Sequence, residues 1–174
     1  MMNRMLLLST LALSLAAGCP SEDPGDDDLG PSTIVLNEFM ASNASVFQDD
    51  SGAFPDWIEL HNTGTVDVAM GSYAVSDDLG QPLKHILSDD LIIPAGGYLV
   101  LFADGDVSQG EQHLSFRLDA NGEDLVVSRI AGSQAEIVDT HQYGVQLTDI
   151  SEGRSPNGTG AFAELTTPSP GAAN

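Results

Sequence analysis

Positive charge is nearly absent from this sequence. Five Lys and Arg residues stand against 26 Asp and Glu, for a formal net charge of -21 over 174 residues. Nucleic-acid binding rests on Lys and Arg neutralising phosphates, so this composition argues against DNA and RNA as partners. Cysteine occurs once, which leaves no internal disulfide, no Cys-rich zinc site and no CxxC redox pair. There is no GxSxG elbow, no HxH and no HExxH, and His61, His85, His113 and His141 are scattered along the chain. Gly96-Gly97 and Gly158-Thr159-Gly160 precede no helical pattern, so they read as turns and not as phosphate cradles. Aromatic residues make up 6% and apolar residues 41%, enough for one core.

The longest apolar stretch lies at the start. Arg4 is the only charge before Glu22, and Met5 to Ala17 is apolar or small apart from Ser9, Thr10 and Ser14. That is an n-region followed by an h-region, too short for the roughly 20 residues of a spanning helix. The run ends in Leu15-Ala16-Ala17-Gly18-Cys19. These residues resemble the lipobox of bacterial lipoprotein signal peptides, although Ala16 stands where Leu is usual. The resemblance implies cleavage before Cys19 and diacylation of its thiol. Each buried acyl CH₂ would add about 0.8 kcal/mol, so two or three chains would make a lasting membrane anchor.

Residues 19–32, CPSEDPGDDDLGPS, hold three prolines, five acids and a single large apolar side chain, Leu29. Such a segment buries too little surface to offset the entropy of ordering, and like charges extend it, so it reads as a disordered acidic tether.

From Thr33 onward the pattern is short alternating runs punctuated by Gly, Pro, Asn and Asp. The runs 34–39, 57–61, 66–75, 83–87, 98–103, 114–118, 124–130 and 136–143 read as strands, and no segment carries a helical period. In Trp57-Ile58-Glu59-Leu60-His61, Ile58 and Leu60 share the core face while Trp57, Glu59 and His61 share the other. Asn121-Gly122, between two such runs, reads as a type I′ hairpin turn. Strands at this spacing predict an all-β antiparallel sandwich or barrel.

Several residues carry candidate chemistry. Glu38, Asn43, Asp50, Asp56 and Glu59 are the densest set of oxygen donors, and a hairpin folding back would let them converge on calcium. The bland reading is that Asn43 and Asp56 organise turns while the rest face water. Trp57, Glu59 and His61 could form a sugar-stacking patch, or Trp57 packs under a loop. Asp139 and His141, two apart on a strand, share a face and could form a dyad. Arg154 reads as the cation of a semi-buried ion pair. No catalytic residue is assigned. Asn43-Ala44-Ser45 and Asn157-Gly158-Thr159 match glycosylation sequons by coincidence.

Taken in order, a set of blocks resembles the lamin tail domain family. They are Asn37-Glu38-Phe39-Met40-Ala41-Ser42-Asn43, Asp56-Trp57-Ile58-Glu59-Leu60-His61-Asn62, Ile93-Pro94-Ala95-Gly96-Gly97-Tyr98, Asn121-Gly122-Glu123, Gly153-Arg154-Ser155-Pro156-Asn157-Gly158, and the closing Thr167-Pro168-Ser169-Pro170-Gly171-Ala172-Ala173-Asn174. The resemblance implies an immunoglobulin-like sandwich over residues 33–174. The filament and chromatin partners of eukaryotic members do not carry over, because this chain has no heptad rod and no basic patch.

The expectation is therefore a signal peptide at 1–18, a tether at 19–32 and one non-catalytic domain at 33–174. The chain would be lipid-anchored in a bacterial envelope, outer membrane or cell surface, displaying a binding or structural module to an envelope or extracellular protein or glycan. A calcium-dependent adhesion or matrix module is the alternative, with a hydrolase as a third reading behind it.

Overall fold

The computed structural model describes residues 30–174, so the signal peptide, Cys19 and most of the tether lie outside the described residues. Eleven strands run in order: β1 (Ile34–Met40), β2 (Trp57–Asn62), β3 (Val68–Ala69), β4 (Tyr73–Ser76), β5 (His85–Ile86), β6 (Ile92–Ile93), β7 (Tyr98–Phe102), β8 (Asp124–Ala131), β9 (Gln134–Gln142), β10 (Ser151–Ser155) and β11 (Ala161–Leu165). They form a five-stranded sheet, β11-β10-β1-β2-β7, a four-stranded sheet, β5-β4-β8-β9, and a two-stranded ribbon, β3-β6. Every strand pairing is antiparallel.

The larger sheets face each other over one core. Ile34, Leu36, Phe39, Ile58, Leu60, Leu99 and Leu101 from the first meet Tyr73, Val75, Leu125 and Val127 from the second. The fold is an immunoglobulin-like β-sandwich, as the family resemblance implies, and all-β and antiparallel as the strand pattern predicts. No described helix is long and apolar enough to cross a membrane.

Three expectations about local structure are corrected. The run 66–75 is not one strand: β3 ends at Ala69, a 3₁₀ turn covers Met70–Ser72, and β4 starts at Tyr73 on a different sheet. Residues 114–118 form no strand, although Leu114, Phe116 and Leu118 alternate into the core; Leu114 N donates to Phe102 O at the end of β7 (2.8 Å) and Arg117 bridges to Asp104, but no ladder follows. Asn121-Gly122 is consequently not the hairpin turn. Asp119 Oδ1 accepts from Asn121 N at 2.8 Å, and Gly122 N closes a turn on Asp119 O at 2.9 Å. The two-residue hairpin is instead Gly132-Ser133 between β8 and β9, where Gly132 adopts φ 59, which only glycine takes at no steric cost.

Candidate functional site

The outer face of the five-stranded sheet is as closed as its inner face, and a bulge in β1 is the reason. Leu36 opposes Leu60 and Glu38 opposes Glu59, so Asn37 is an extra residue on its strand. The bulge resets the alternation: Ile34 and Leu36 point into the core, Asn37 and Glu38 face outward together, and Phe39 returns to the core. Outward-facing Asn37, Glu38 and Glu59 each have 0% exposure. Buried polar groups require partners, and the C-terminal segment supplies them.

That segment, 166–174, lies as a strap along the outer face, and none of its residues is buried. Ser169 donates to Glu38 from its amide (3.1 Å) and its hydroxyl (2.9 Å), and Ser151 Oγ donates to the same carboxylate. Gly171 N donates to Glu59 Oε2 at 2.6 Å, and Asn37 Nδ2 donates to Glu59 Oε1 at 2.8 Å. Asn174 Nδ2 reaches the carbonyls of Asn37 (3.3 Å) and Arg154 (3.1 Å). Gly153 makes that approach possible, since a Cβ there would sit 2.4 Å from Asn174 Nδ2 and 2.6 Å from Leu165 Cδ1. Asn157 completes the network, accepting from Asn37 Nδ2 (3.1 Å) and donating to the Tyr98 hydroxyl (2.9 Å). Burial pushes Glu59 up to about 7 despite the N–H donors from Asn37 and Gly171, and Glu38 adds to the rise.

At its other end the same face is apolar. Met40, Trp57, Val100 and Phe102 form a second cluster under Phe47. Phe47 stacks on Phe102 with centroids 5.8 Å apart and meets Trp57 edge-on at 6.3 Å. Phe47 belongs to the 43–56 loop, which Asn43 ties together by donating to the carbonyls of Phe47 and Pro55, each at 2.7 Å. Asp56 Oδ1 accepts from Asn43 N at 3.0 Å. From outside the loop, Asp149, the one described non-glycine residue at positive φ (62), accepts from Ala44 N, Ser45 N and Ser45 Oγ at 2.6–3.0 Å.

Beside this loop lies a cleft of about 510 Å³ lined by Asp49, Asp56, Asp104, Asp106 and Arg117, among others. Burial raises the pKa of Asp56, whereas hydrogen bonds led by that from Ser51 lower Asp49, and those led by Ser108 lower Asp106. The cleft is thus a concentration of negative charge at one end of the sandwich.

The model of the family described as Lamin Tail Domain matches residues 30–145. The chain belongs to the lamin tail domain family. No curated protein and no solved structure matches it. The lamin tail domain is a non-enzymatic, immunoglobulin-like family. The family match stops after β9, yet the lamin tail sandwich of this chain is completed by β10, β11 and the strap, since β10 pairs with β1.

Within this lamin tail domain the five oxygen donors read from the sequence fall into three places. Glu38 and Glu59 are cross-strand partners beneath the strap, Asn43 and Asp56 hold the loop, and exposed Asp50 lines a separate depression with Gln48 and Glu111. The described residues contain no group of three or more His, Cys, Asp or Glu arranged to hold a metal ion. Trp57, Glu59 and His61 do share a face, but all three are buried, so they form no exposed sugar-stacking patch. Trp57 packs beneath the loop.

Asp139 and His141 do not form a dyad with each other. Asp139 takes two hydrogen bonds from Arg154 Nη2, at 2.8 and 2.7 Å, making the ion pair the sequence suggests for Arg154. His141 Nε2 lies 3.2 Å from Glu152, and its ring stacks on Phe162 at 3.9 Å. His61 stacks on Tyr98 at 4.5 Å, and burial lowers its pKa. His85 Nδ1 accepts from Ser115 N at 3.1 Å, while His113 pairs with Asp104 at 2.7 Å. The sequence reading passed over Asp104, Asp106 and Arg117 because they gather only when the 103–118 segment folds against the 43–56 loop.

Proposed function

We propose that this chain is a bacterial cell-envelope lipoprotein, anchored through acylated Cys19 and displaying its lamin tail domain as a non-catalytic binding or structural module. The observation that carries the anchor is Leu15-Ala16-Ala17-Gly18-Cys19 at the end of an h-region. Pro20, in place of Asp, favours the outer membrane or cell surface over inner-membrane retention. The module reading is supported by the use to which the fold puts its reactive side chains: Asp139, Arg154, Glu152 and His141 join the two sheets, and Glu38 and Glu59 hold the strap.

The partner is an envelope or extracellular protein or glycan, and the aspartate-lined cleft favours one presenting positive charge. Intact mass spectrometry of the protein from washed membranes, beside Cys19→Ala, tests the anchor. The expected mass begins at Cys19 and includes acyl chains that the variant loses. An unmodified, soluble chain would overturn the lipoprotein reading and move the search for partners to the extracellular medium.

A further inference from the structure

Glu38 and Glu59 are opposite each other in register, face the same side of the sheet and have 0% exposure. Their recorded partners are neutral donors from Asn37, Ser151, Ser169 and Gly171, and none of the ion pairs among the described residues includes either acid. A carboxylate as buried as Glu59, with another acid opposite it on the neighbouring strand and no cation beside it, does not ionise readily. The groups around them do not change that balance. On β1 the titratable neighbour is Glu38 itself, and β2 contributes His61, whose Nδ1 faces Asn157 Nδ2 at 3.3 Å. From β7 comes the Tyr98 phenol, bonded to Asn157. On β10, Glu152 and Arg154 engage His141 and Asp139 instead. The strap carries no charged side chain.

The strap that covers the pair is held by hydrogen bonds to Glu38, Glu59, Asn157 and two backbone carbonyls, without a buried side chain of its own. We propose that Glu59 holds a proton beneath the strap and that this proton keeps the strap closed, so that residues 166–174 lift as the pH rises past neutrality and settle back in mild acid. The direction follows from the cover itself. Closed, the strap excludes water and makes a negative charge on Glu59 costly, an effect that outweighs the Gly171 N–H favouring that charge; open, it lets water solvate the carboxylate. The closed form therefore binds the proton more tightly than the open form, and loss of the proton favours opening. The upward displacement of Glu59 to about 7 places the change near neutral pH.

Amide hydrogen exchange, corrected for intrinsic rates, reads the strap directly at Ser169 and Gly171. Between pH 5.5 and 8.5, protection at these amides should fall about tenfold or more, since each pKa unit separating closed from open is tenfold in the equilibrium. Protection at Val126 in β8 should hold. Glu59→Gln removes the ionisable group, so strap protection in that variant should be independent of pH, while Glu164→Gln, at an exposed site, should behave as wild type. Unchanged wild-type protection, a fall in Glu59→Gln equal to wild type, or a parallel fall at Val126 would each overturn the proposal. Should Glu59→Gln not fold, side-chain carboxyl NMR of the wild-type chain decides: Glu59 should titrate near neutrality, and its titrating below pH 5.5 would overturn it.

Discussion

Arg154 on β10 and Asp139 on β9 meet at 2.7 Å across the seam between the two sheets, and both also bind the same residue of β1. Arg154 Nε donates to Leu36 O at 2.7 Å, and Asp139 Oδ2 accepts from Leu36 N at 3.0 Å. The pair thereby takes up the backbone groups of Leu36, which lies beyond the Glu38–Gly153 end of the β1–β10 ladder. With 17% and 15% of the two side chains exposed, the pair is semi-buried. Arg154→Ala should cost on the order of 2 to 3 kcal/mol, between the effects of breaking a buried and an exposed pair. Urea denaturation checks this, and a loss under about 0.5 kcal/mol would show that the seam does not depend on the pair.

Phe47 closes the apolar end of the outer face over Trp57, the only tryptophan in the sequence. Phe47→Ala should cost about 2 to 3 kcal/mol, below the range for a fully buried Phe because Phe47 is only partly buried. It should also admit water to the indole, so tryptophan emission should shift red and become quenchable by iodide or acrylamide. Unchanged emission would mean the loop covers Trp57 without Phe47.

Gly153 leaves the space that Asn174 and Leu165 occupy. Gly153→Ala should displace the strap's end and cost about 1 to 3 kcal/mol through overcrowding. Amide shifts at Asn174 and Gly171 in an NMR spectrum should change while those of β4 remain. A spectrum superimposable on wild type would show that the strap can shift to accommodate the methyl group.

Stability should peak in mild acid, because two sets of carboxyls pull in opposite directions. Burial raises Glu59 from its ordinary 4.5 to about 7, so its contribution is complete below about 4.5 and is lost as the pH rises through about 7. The loss is at most on the order of 3 kcal/mol, and less where the strap opens first. Asp49, Asp106 and Asp149 are lowered from 3.8, first by the side chains of Ser51, Ser108 and Ser45, so their contribution holds above 3.8 and is lost as the pH falls below it. Urea midpoints from pH 2 to 9 should trace both limbs, and Glu59→Gln should flatten only the alkaline one.

Calcium should leave the melting temperature unchanged, because Glu38 and Glu59 are engaged by the strap and lie apart from Asp50 and the Asn43–Asp56 pair. Thermal melts in millimolar calcium and in EDTA check this. A rise of several degrees with calcium would show that the 43–56 loop rearranges to gather ligands.

The sandwich was legible because Ile58 and Leu60 of β2 share one face and enter the core as period two requires, while β7, apolar on both faces, reads as a strand covered on two sides. β10 and β11 escaped because Ser151-Glu152-Gly153-Arg154-Ser155 is polar throughout and Ala161–Leu165 is short. Their places depend on partners far along the chain, which no local pattern encodes. Residues 114–118 show the reverse: Leu114, Phe116 and Leu118 alternate like a strand and fill the core, but their backbone meets β7 only at Leu114 and builds no ladder. The polar half of the outer face did leave a trace, since Asn37, Glu38 and Glu59 interrupt otherwise apolar strands. Glu38 and Glu59 stand among the calcium candidates of the sequence, whereas in the fold their oxygens accept from Asn37, Ser151 and the strap residues Ser169 and Gly171.

The placement of β1 between β2 and β10 also fixes an order of events in folding. Until residues 151–155 are available, one edge of β1 stays bare, and seven residues rich in Ile, Leu, Phe and Met are open to pairing with a strand from another molecule. Contacts between the two ends of a chain form late and slow the search. A chain cut after residue 145 would keep every residue of the family match and still present that edge, so it should accumulate as aggregate where the full chain remains dispersed.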